Sequence, residues 1–173
     1  MQIYIPAPAL VLLVGPSGSG KSTFASAHFT STEIISSDAL RAMLADDPAD
    51  QDASNEAFRI LSLLANGRLK RRLTTVIDAT NLRAVNRKNF RQLASRYGIR
   101  TVAIAFDLPG ELYSENNRLR PDRVVDQEVV ADQAERMREA MPDLLEESLG
   151  ALYVFRDLDE VSGAVLTRTK SSD

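Results

Sequence analysis

The 173-residue sequence has no cysteine, no tryptophan and a single histidine, His28. Without a thiol there is no disulfide, no zinc–thiolate centre and no cysteine nucleophile, and a chain without disulfides fits the expected cytoplasmic location. One imidazole also leaves no material for a histidine-based metal cluster. Long apolar runs are missing too: the segment Ala9–Val14 falls far short of the ~20 residues a membrane span needs. No basic stretch precedes that segment, so neither a signal peptide nor a membrane partner is expected. Net charge is −3, which argues against a chain that coats nucleic acid non-specifically. Most of its Lys and Arg nevertheless lie between Arg68 and Arg123. That distribution suits solvated helix faces first, and leaves room for a small groove for a strand end. What is present, 44% hydrophobic and 26% charged residues, is the composition of an ordinary globule large enough for one core, so a single domain over 1–173 is expected.

Apolar runs alternate with helical patterns along the chain, which predicts an α/β fold around a parallel sheet. Strands are expected at Leu10–Val14, Glu33–Ser36, Thr74–Ala79, Val102–Phe106 and Leu152–Phe155. Helices are expected over 21–28, 38–45, 53–70, 86–97, 110–119, 126–140 and 158–167. The third carries Ala57, Phe58, Leu61, Leu64, Ala65 and Leu69 at helical spacing, a core-facing stripe. Gly98 and Pro121 are placed to stop the helices before them. The acidic segment from Asp46 to Asp52, broken by Pro48, reads as a mobile loop.

The most specific motif is Gly15-Pro-Ser-Gly-Ser-Gly-Lys-Ser22, which directly follows the first apolar strand. A G-x-x-x-x-G-K-[ST] loop between strand and helix turns successive amides toward one anion. The helix that comes next adds its unpaired N–H groups and the positive end of its dipole. The expected phosphate cradle runs through Gly15, Ser17, Gly18, Ser19, Gly20, Lys21, Ser22 and Thr23. Lys21 would reach the β- and γ-phosphates of ATP, and the Ser22 hydroxyl would hold Mg²⁺.

Ligands of open α/β sheets sit beyond the carboxyl ends of the strands, so the residues just past each strand carry weight. After the second comes Ile35-Ser-Ser-Asp-Ala-Leu-Arg41, with Asp38 at a helix start and Arg41 on the same face. A phosphoryl acceptor needs a carboxylate for its hydroxyl and a cation for the rest of the molecule. A helix cap by Ser37 or Asp38, with Arg41 as an i,i+3 partner, explains the same letters, and the local residues leave both readings open. Asp78, at the end of the third strand, is placed to orient a metal as a Walker-B aspartate does, although Asp and Asn also favour turns. Arg118, Arg120 and Arg123 flank Pro121 at a helix end, where forked guanidiniums would lid the phosphates, although cations also favour a helix C-terminus.

Taken in order, the P-loop, Ile-Ser-Ser-Asp-x-x-Arg, the acidic segment, Asp-Ala-Thr-Asn and Arg-x-Asp-Arg resemble the kinase module of the bacterial polynucleotide kinase–phosphatase–ligase repair enzymes. More distantly they resemble the phage-type 5′-hydroxyl polynucleotide kinases. The resemblance covers about residues 1–165 and implies a P-loop kinase fold of about five parallel strands with a helical lid over about 110–142. It implies Asp38 as general base, Arg41 on the acceptor's phosphate, Arg120 as a catalytic lid arginine and Arg123 in its support. ATP and Mg²⁺ are the implied donor and metal, with Asp78 beside Ser22 at the metal. The implied acceptors are 5′-hydroxyl DNA or RNA ends. The phosphatase and ligase modules are not in this sequence, so either partner would be a separate chain. One position departs from the family pattern: Asn116 stands where a second lid arginine is usual. Arg118 does not replace it, since two residues along a helix is a rotation of about 200°. Two other functions fit the motifs less closely: a kinase for a nucleoside, sugar or antibiotic, and an NTP-binding regulatory module without turnover.

Overall fold

A computed structural model of the chain describes residues 1–118 and 125–170. A five-stranded parallel sheet is built from β2 (Ala9–Val14), β3 (Ile34–Ser36), β4 (Thr75–Asp78), β5 (Arg100–Phe106) and β6 (Ala151–Phe155), in the order β3-β4-β2-β5-β6. All five expected strands are present within a residue or two. The reason the runs are continuous is visible in β2. Leu10, Leu12 and Val14 enter the core on one face of the sheet, while Ala9, Val11 and Leu13 enter the core on the other. Both faces are covered, so no position is left for a polar residue.

The first face is covered by α3 (Ser54–Lys70), α4 (Ala84–Ser95) and α6 (Gln127–Glu146). On α3 the expected stripe is buried at Ala57, Leu61, Ala65 and Leu69, with Phe58 partly so. Leu64 is exposed instead, because the stripe is narrower than its spacing suggested. The second face holds α1 (Lys21–His28) and α5 (Gly110–Arg118). Beneath α1, Phe24 meets Phe106 and Phe155 with ring centroids 5.7 and 5.5 Å apart. Each buried phenyl contributes roughly 1.5–3 kcal/mol, so the helix that carries the phosphate loop is firmly fixed to β5 and β6.

Four elements differ from expectation. Two outer strands, β1 (Gln2–Ala7) and β7 (Val165–Lys170), pair in parallel as a separate ribbon. The helix expected over 158–167 is the short α7 (Leu158–Ser162), which ends at Gly163 before β7 begins. The helix α6 runs past its expected end at 140, through Pro142, because Leu144 in its last turn is buried in the core. Gly98, with φ of +64°, closes the turn after α4. Pro121 lies outside the described residues. Among the described residues no helix is long and apolar enough to cross a membrane.

Candidate active site

The phosphate loop lies between β2 and α1, with Gly18 at φ +82° and Gly20, the residue capping α1, at +87°. Neither angle suits a side chain. At Gly18 there is also no room: a Cβ there would lie 2.3 Å from the Tyr113 carbonyl oxygen of α5. The loop is tied to the neighbouring strand end by the Gly15 N–H, which donates to the Thr80 carbonyl at 2.9 Å. Lys21 is buried, and its Nζ donates to the carbonyls of Gly15 (2.8 Å) and Pro16 (2.6 Å) and to Ser19 Oγ (3.2 Å). Ser22 Oγ donates to Asp78 Oδ2 at 2.8 Å. The P-loop serine and the acid at the end of β4 are thus brought together, as their motifs anticipated separately. Thr23 is exposed on the first turn of α1.

That pair tests whether magnesium suits the site. Mg²⁺ prefers hard oxygen donors, one or two carboxylates at most, and completes its shell with water and substrate phosphates. A hydroxyl and a carboxylate in contact at the mouth of a phosphate loop meet that description. Among the described residues no group of three or more acidic or imidazole side chains forms a cage of its own.

Asp38 and Arg41 lie on α2 (Ser37–Ala45), which starts directly after β3. The helix is capped by Ser36, whose Oγ accepts from the Ala39 N–H, so neither Ser37 nor Asp38 is used as the cap. Asp38 pairs with Arg41 Nη2. Arg41 Nε donates to the Pro48 carbonyl at 2.8 Å, which pins the acidic segment against α2. Asp47 accepts from the Ala49 N–H, and Asp50 from the Asp52 and Ala53 N–H groups. The acidic segment thus contains local turns and meets Arg41 through the Pro48 carbonyl. Burial pulls the Arg41 guanidinium below its ordinary value while Asp47 and Asp50 act the other way. It stays a cation in either case.

Two helices from the region expected to form a lid, α5 and α6, touch the loop directly. On α5, Asn116 Nδ2 donates to the Gly18 carbonyl at 3.0 Å. The residue standing where the family has an arginine serves here as a strut. Asn117, fully buried, exchanges hydrogen bonds with the backbone of Val125 at 2.6 and 3.1 Å. On α6, Gln133 Oε1 accepts from the Ser17 N–H at 2.7 Å. Arg120 and Arg123, the expected lid arginines, lie outside the described residues. The far end of α6 is fastened by Glu147, which meets fully buried Arg87 at 2.7 Å and Arg91 at 3.3 Å. Arg87 Nη1 also donates to the carbonyls of Asn81 (2.9 Å) and Leu82 (2.7 Å), in the turn just past Asp78.

Between these elements opens a cleft of about 420 Å³. Ser17, Lys21 and Ser22 line its donor side, Asp38 and Arg41 its opposite wall, and Asp78 lies between. The cleft also receives Phe58, Arg83, Gln133 and Arg136, which sequence reasoning did not place in a site. These four lie in no short motif, and only the packing of α3, α4 and α6 brings them here. The regular placement of Gln133 and Arg136 three apart on one helix was the one available signal.

Comparison with known proteins places this geometry. Residues 10–144 match the family model described as AAA domain. No curated protein matches the chain. Among solved structures, a chain of the Pnkp1/Rnl/Hen1 RNA repair complex is similar, at 24% identity and a TM-score of 0.66 over 80% of this chain and 47% of that one. A chain of the AvrRxo1-ORF1:-ORF2 complex with ATP is similar at 18% identity and a TM-score of 0.66, covering 87% of this chain and 55% of that one. A gluconokinase from Sinorhizobium meliloti 1021 is similar at 20% identity and a TM-score of 0.55, covering 88% and 84%. The chain spans about half the length of the first two. At these identities the likeness is one of fold, and that fold is the P-loop kinase fold expected from the motifs.

Proposed function

We propose the function from one premise: the chain belongs to the AAA domain family that its residues 10–144 match. Within it, the chain is an ATP-dependent phosphotransferase whose acceptor is the 5′-hydroxyl end of DNA or RNA. The observation that supports this reading is the cleft in which Lys21 and Ser22 face the Asp38–Arg41 pair across Asp78. Donor and acceptor chemistry share one enclosed space, which in-line transfer requires.

In this reading the amides from Ser17 to Thr23 hold the triphosphate, and Lys21 exchanges loop carbonyls for phosphate oxygens. Ser22 and Asp78 hold Mg²⁺, which supplies neutralisation of the phosphate charge when bound. Asp38 orients the acceptor hydroxyl and takes its proton. Arg41 fixes the Asp38 carboxylate and presents its remaining donors to the phosphate 3′ of the terminal sugar. By the resemblance, Arg120 would act on the donor phosphates with Arg123 in its support. A reaction that yields 5′-phosphate ends calls for a separate ligase or phosphatase to act on the same strands, a role the RNA repair neighbour makes reasonable.

The size of the cleft supports a second reading. About 420 Å³ is within the usual range of a small-molecule pocket, roughly 300–1,000 Å³, so a kinase for a nucleoside or sugar is the competing assignment. One panel separates them: labelled ATP with a 5′-hydroxyl oligonucleotide, a nucleoside, its 3′-monophosphate and gluconate. The polynucleotide reading expects the oligonucleotide and the 3′-monophosphate to outcompete the bare nucleoside, and Arg41→Ala to erase that preference. It also expects oligonucleotide affinity to weaken modestly with salt. Equal use of nucleoside with and without its 3′-phosphate would transfer the assignment to a small-molecule kinase. Nucleotide binding with no turnover on any acceptor would leave a regulatory module.

A further inference from the structure

The cations of the cleft are unequally committed. Lys21 reaches back to the loop carbonyls, and Arg41 is buried between Asp38 and the Pro48 carbonyl. Arg136 differs from both. It lines the same cleft as Lys21, Ser22, Asp38 and Asp78, but its side chain is 43% exposed. It meets Asp132, itself 55% exposed, at 2.8 Å one turn back on α6. An exposed i,i+4 pair of this kind is worth only about 0.3–0.5 kcal/mol, so leaving it costs little. The position of Arg136 relative to the loop is set by Gln133, three residues earlier on the same helix face. Gln133 accepts from the Ser17 N–H, so α6 is seated on the lip of the phosphate cradle at that turn. Meanwhile Asn116 on α5 is spent on the Gly18 carbonyl and brings no charge.

We infer that Arg136 supplies a guanidinium that balances charge on the transferring phosphoryl group, beside the one expected of Arg120. This rests on the phosphotransferase reading above, though not on which acceptor is used. In the transfer, the acceptor oxygen bonds to the γ-phosphorus as the bond to the β–γ bridging oxygen breaks. The hydroxyl proton passes to Asp38 and the electron pair leaves with ADP. Charge spreads over three equatorial oxygens, two of which a forked guanidinium matches. Asp132 holds that guanidinium at the rim until the triphosphate draws it inward. Gln133 gives up the Ser17 N–H to a phosphate oxygen in the same movement.

The test compares Arg136→Ala, Arg136→Lys, Arg83→Ala and Arg138→Ala in the full chain. ADP release is measured with the best acceptor from the panel and with water alone, and ATP affinity by equilibrium binding. Arg138 is 72% exposed, pairs with Glu135 on the same helix, and does not line the cleft. Its loss controls for charge and helix stability. Arg136→Ala is expected to lower kcat about 100-fold or more in both assays while ATP affinity changes by less than about threefold, the pattern of a group engaged in the transition state. Arg136→Lys should recover little, because one ammonium does not reproduce the fork, whereas added guanidinium ion should restore part of the alanine variant's rate. An Arg136→Ala enzyme within about threefold of wild type in kcat, or one that loses only ATP affinity, overturns the inference. So does a large loss confined to Arg83→Ala. A wild type that phosphorylates a small molecule and not the oligonucleotide overturns the acceptor reading alone and leaves the Arg136 comparison intact. A wild type with no turnover at all overturns both.

Discussion

Replacing Gly18 by alanine isolates the contact between the phosphate loop and α5. Two costs combine. At φ +82° an alanine pays about 1–2 kcal/mol for the left-handed backbone. The new Cβ would then lie 2.3 Å from the Tyr113 carbonyl oxygen, 3.1 Å from its carbon and 3.3 Å from the Asn117 nitrogen. These are backbone atoms of a helix, so no rotamer relieves them and α5 must retreat by about an ångström. Overpacking of this kind costs about 1–3 kcal/mol, giving roughly 2–5 kcal/mol in total. At about 2–4 °C per kcal/mol for a chain of this size, Tm should fall by roughly 4–20 °C in a circular dichroism melt. The retreat also breaks the Asn116–Gly18 hydrogen bond, so transfer activity should fall at temperatures where the fold survives. Gly98→Ala is the matched control. Its φ is +64° and a Cβ there meets nothing within 4 Å, so it pays the dihedral cost alone. Equal losses of Tm for the two variants would refute the seating of α5 on the loop.

Asp38→Asn should reduce transfer at least about 100-fold, within the range for a lost general base, with ATP affinity nearly unchanged in equilibrium binding; wild-type turnover would remove Asp38 from that role. The Tyr113 hydroxyl, which accepts from the Leu108 N–H at 2.7 Å and donates to the Phe106 carbonyl at 2.9 Å, is pushed by burial from 10.0 up to about 12. The unfolded chain releases that proton near pH 10 and the folded chain retains it, so stability should be full below pH 10 and drop as pH rises toward 12, by on the order of 2–3 kcal/mol. Denaturant titrations across that window would check it. Tyr113→Phe should be less stable at neutral pH and should lose this part of the alkaline decline; an unchanged decline would mean another group causes it.

The sheet was legible because its strands are buried on both faces and read as unbroken apolar runs. The outer ribbon was not. β1 alternates exposed Gln2 and Tyr4 with buried Ile3 and Ile5 and carries Pro6, a pattern easily taken for a leader into β2. β7 is largely exposed, and its partner lies more than 160 residues away, beyond the reach of any local signal. In the site, the residues in short motifs could be found: Lys21, Ser22, Asp38, Arg41 and Asp78 do meet in one cleft. The i,i+3 pairing of Asp38 with Arg41 could be read, but the longer-range contacts could not. Nothing in the letters says that Arg41 holds Asp38 and the Pro48 carbonyl at once, or that Gln133 reaches Ser17. These contacts depend on how helices from distant parts of the chain settle on the sheet.

The buried Arg87–Glu147 pair has a mechanical consequence. It fastens the residue just after α6 to the turn beyond Asp78, so that end of the helix is a fulcrum. Arg136 lies eleven residues up the lever, about 16 Å away at 1.5 Å per residue. Pivoting α6 by about 10° there sweeps Arg136 through about 3 Å, a distance comparable with its 2.8 Å contact to Asp132. The same pivot leaves Asp78 nearly still, because its turn is part of the bearing. On the Arg136 inference, such a pivot would carry the charge inward while the strand end that anchors the opposite side stays in place.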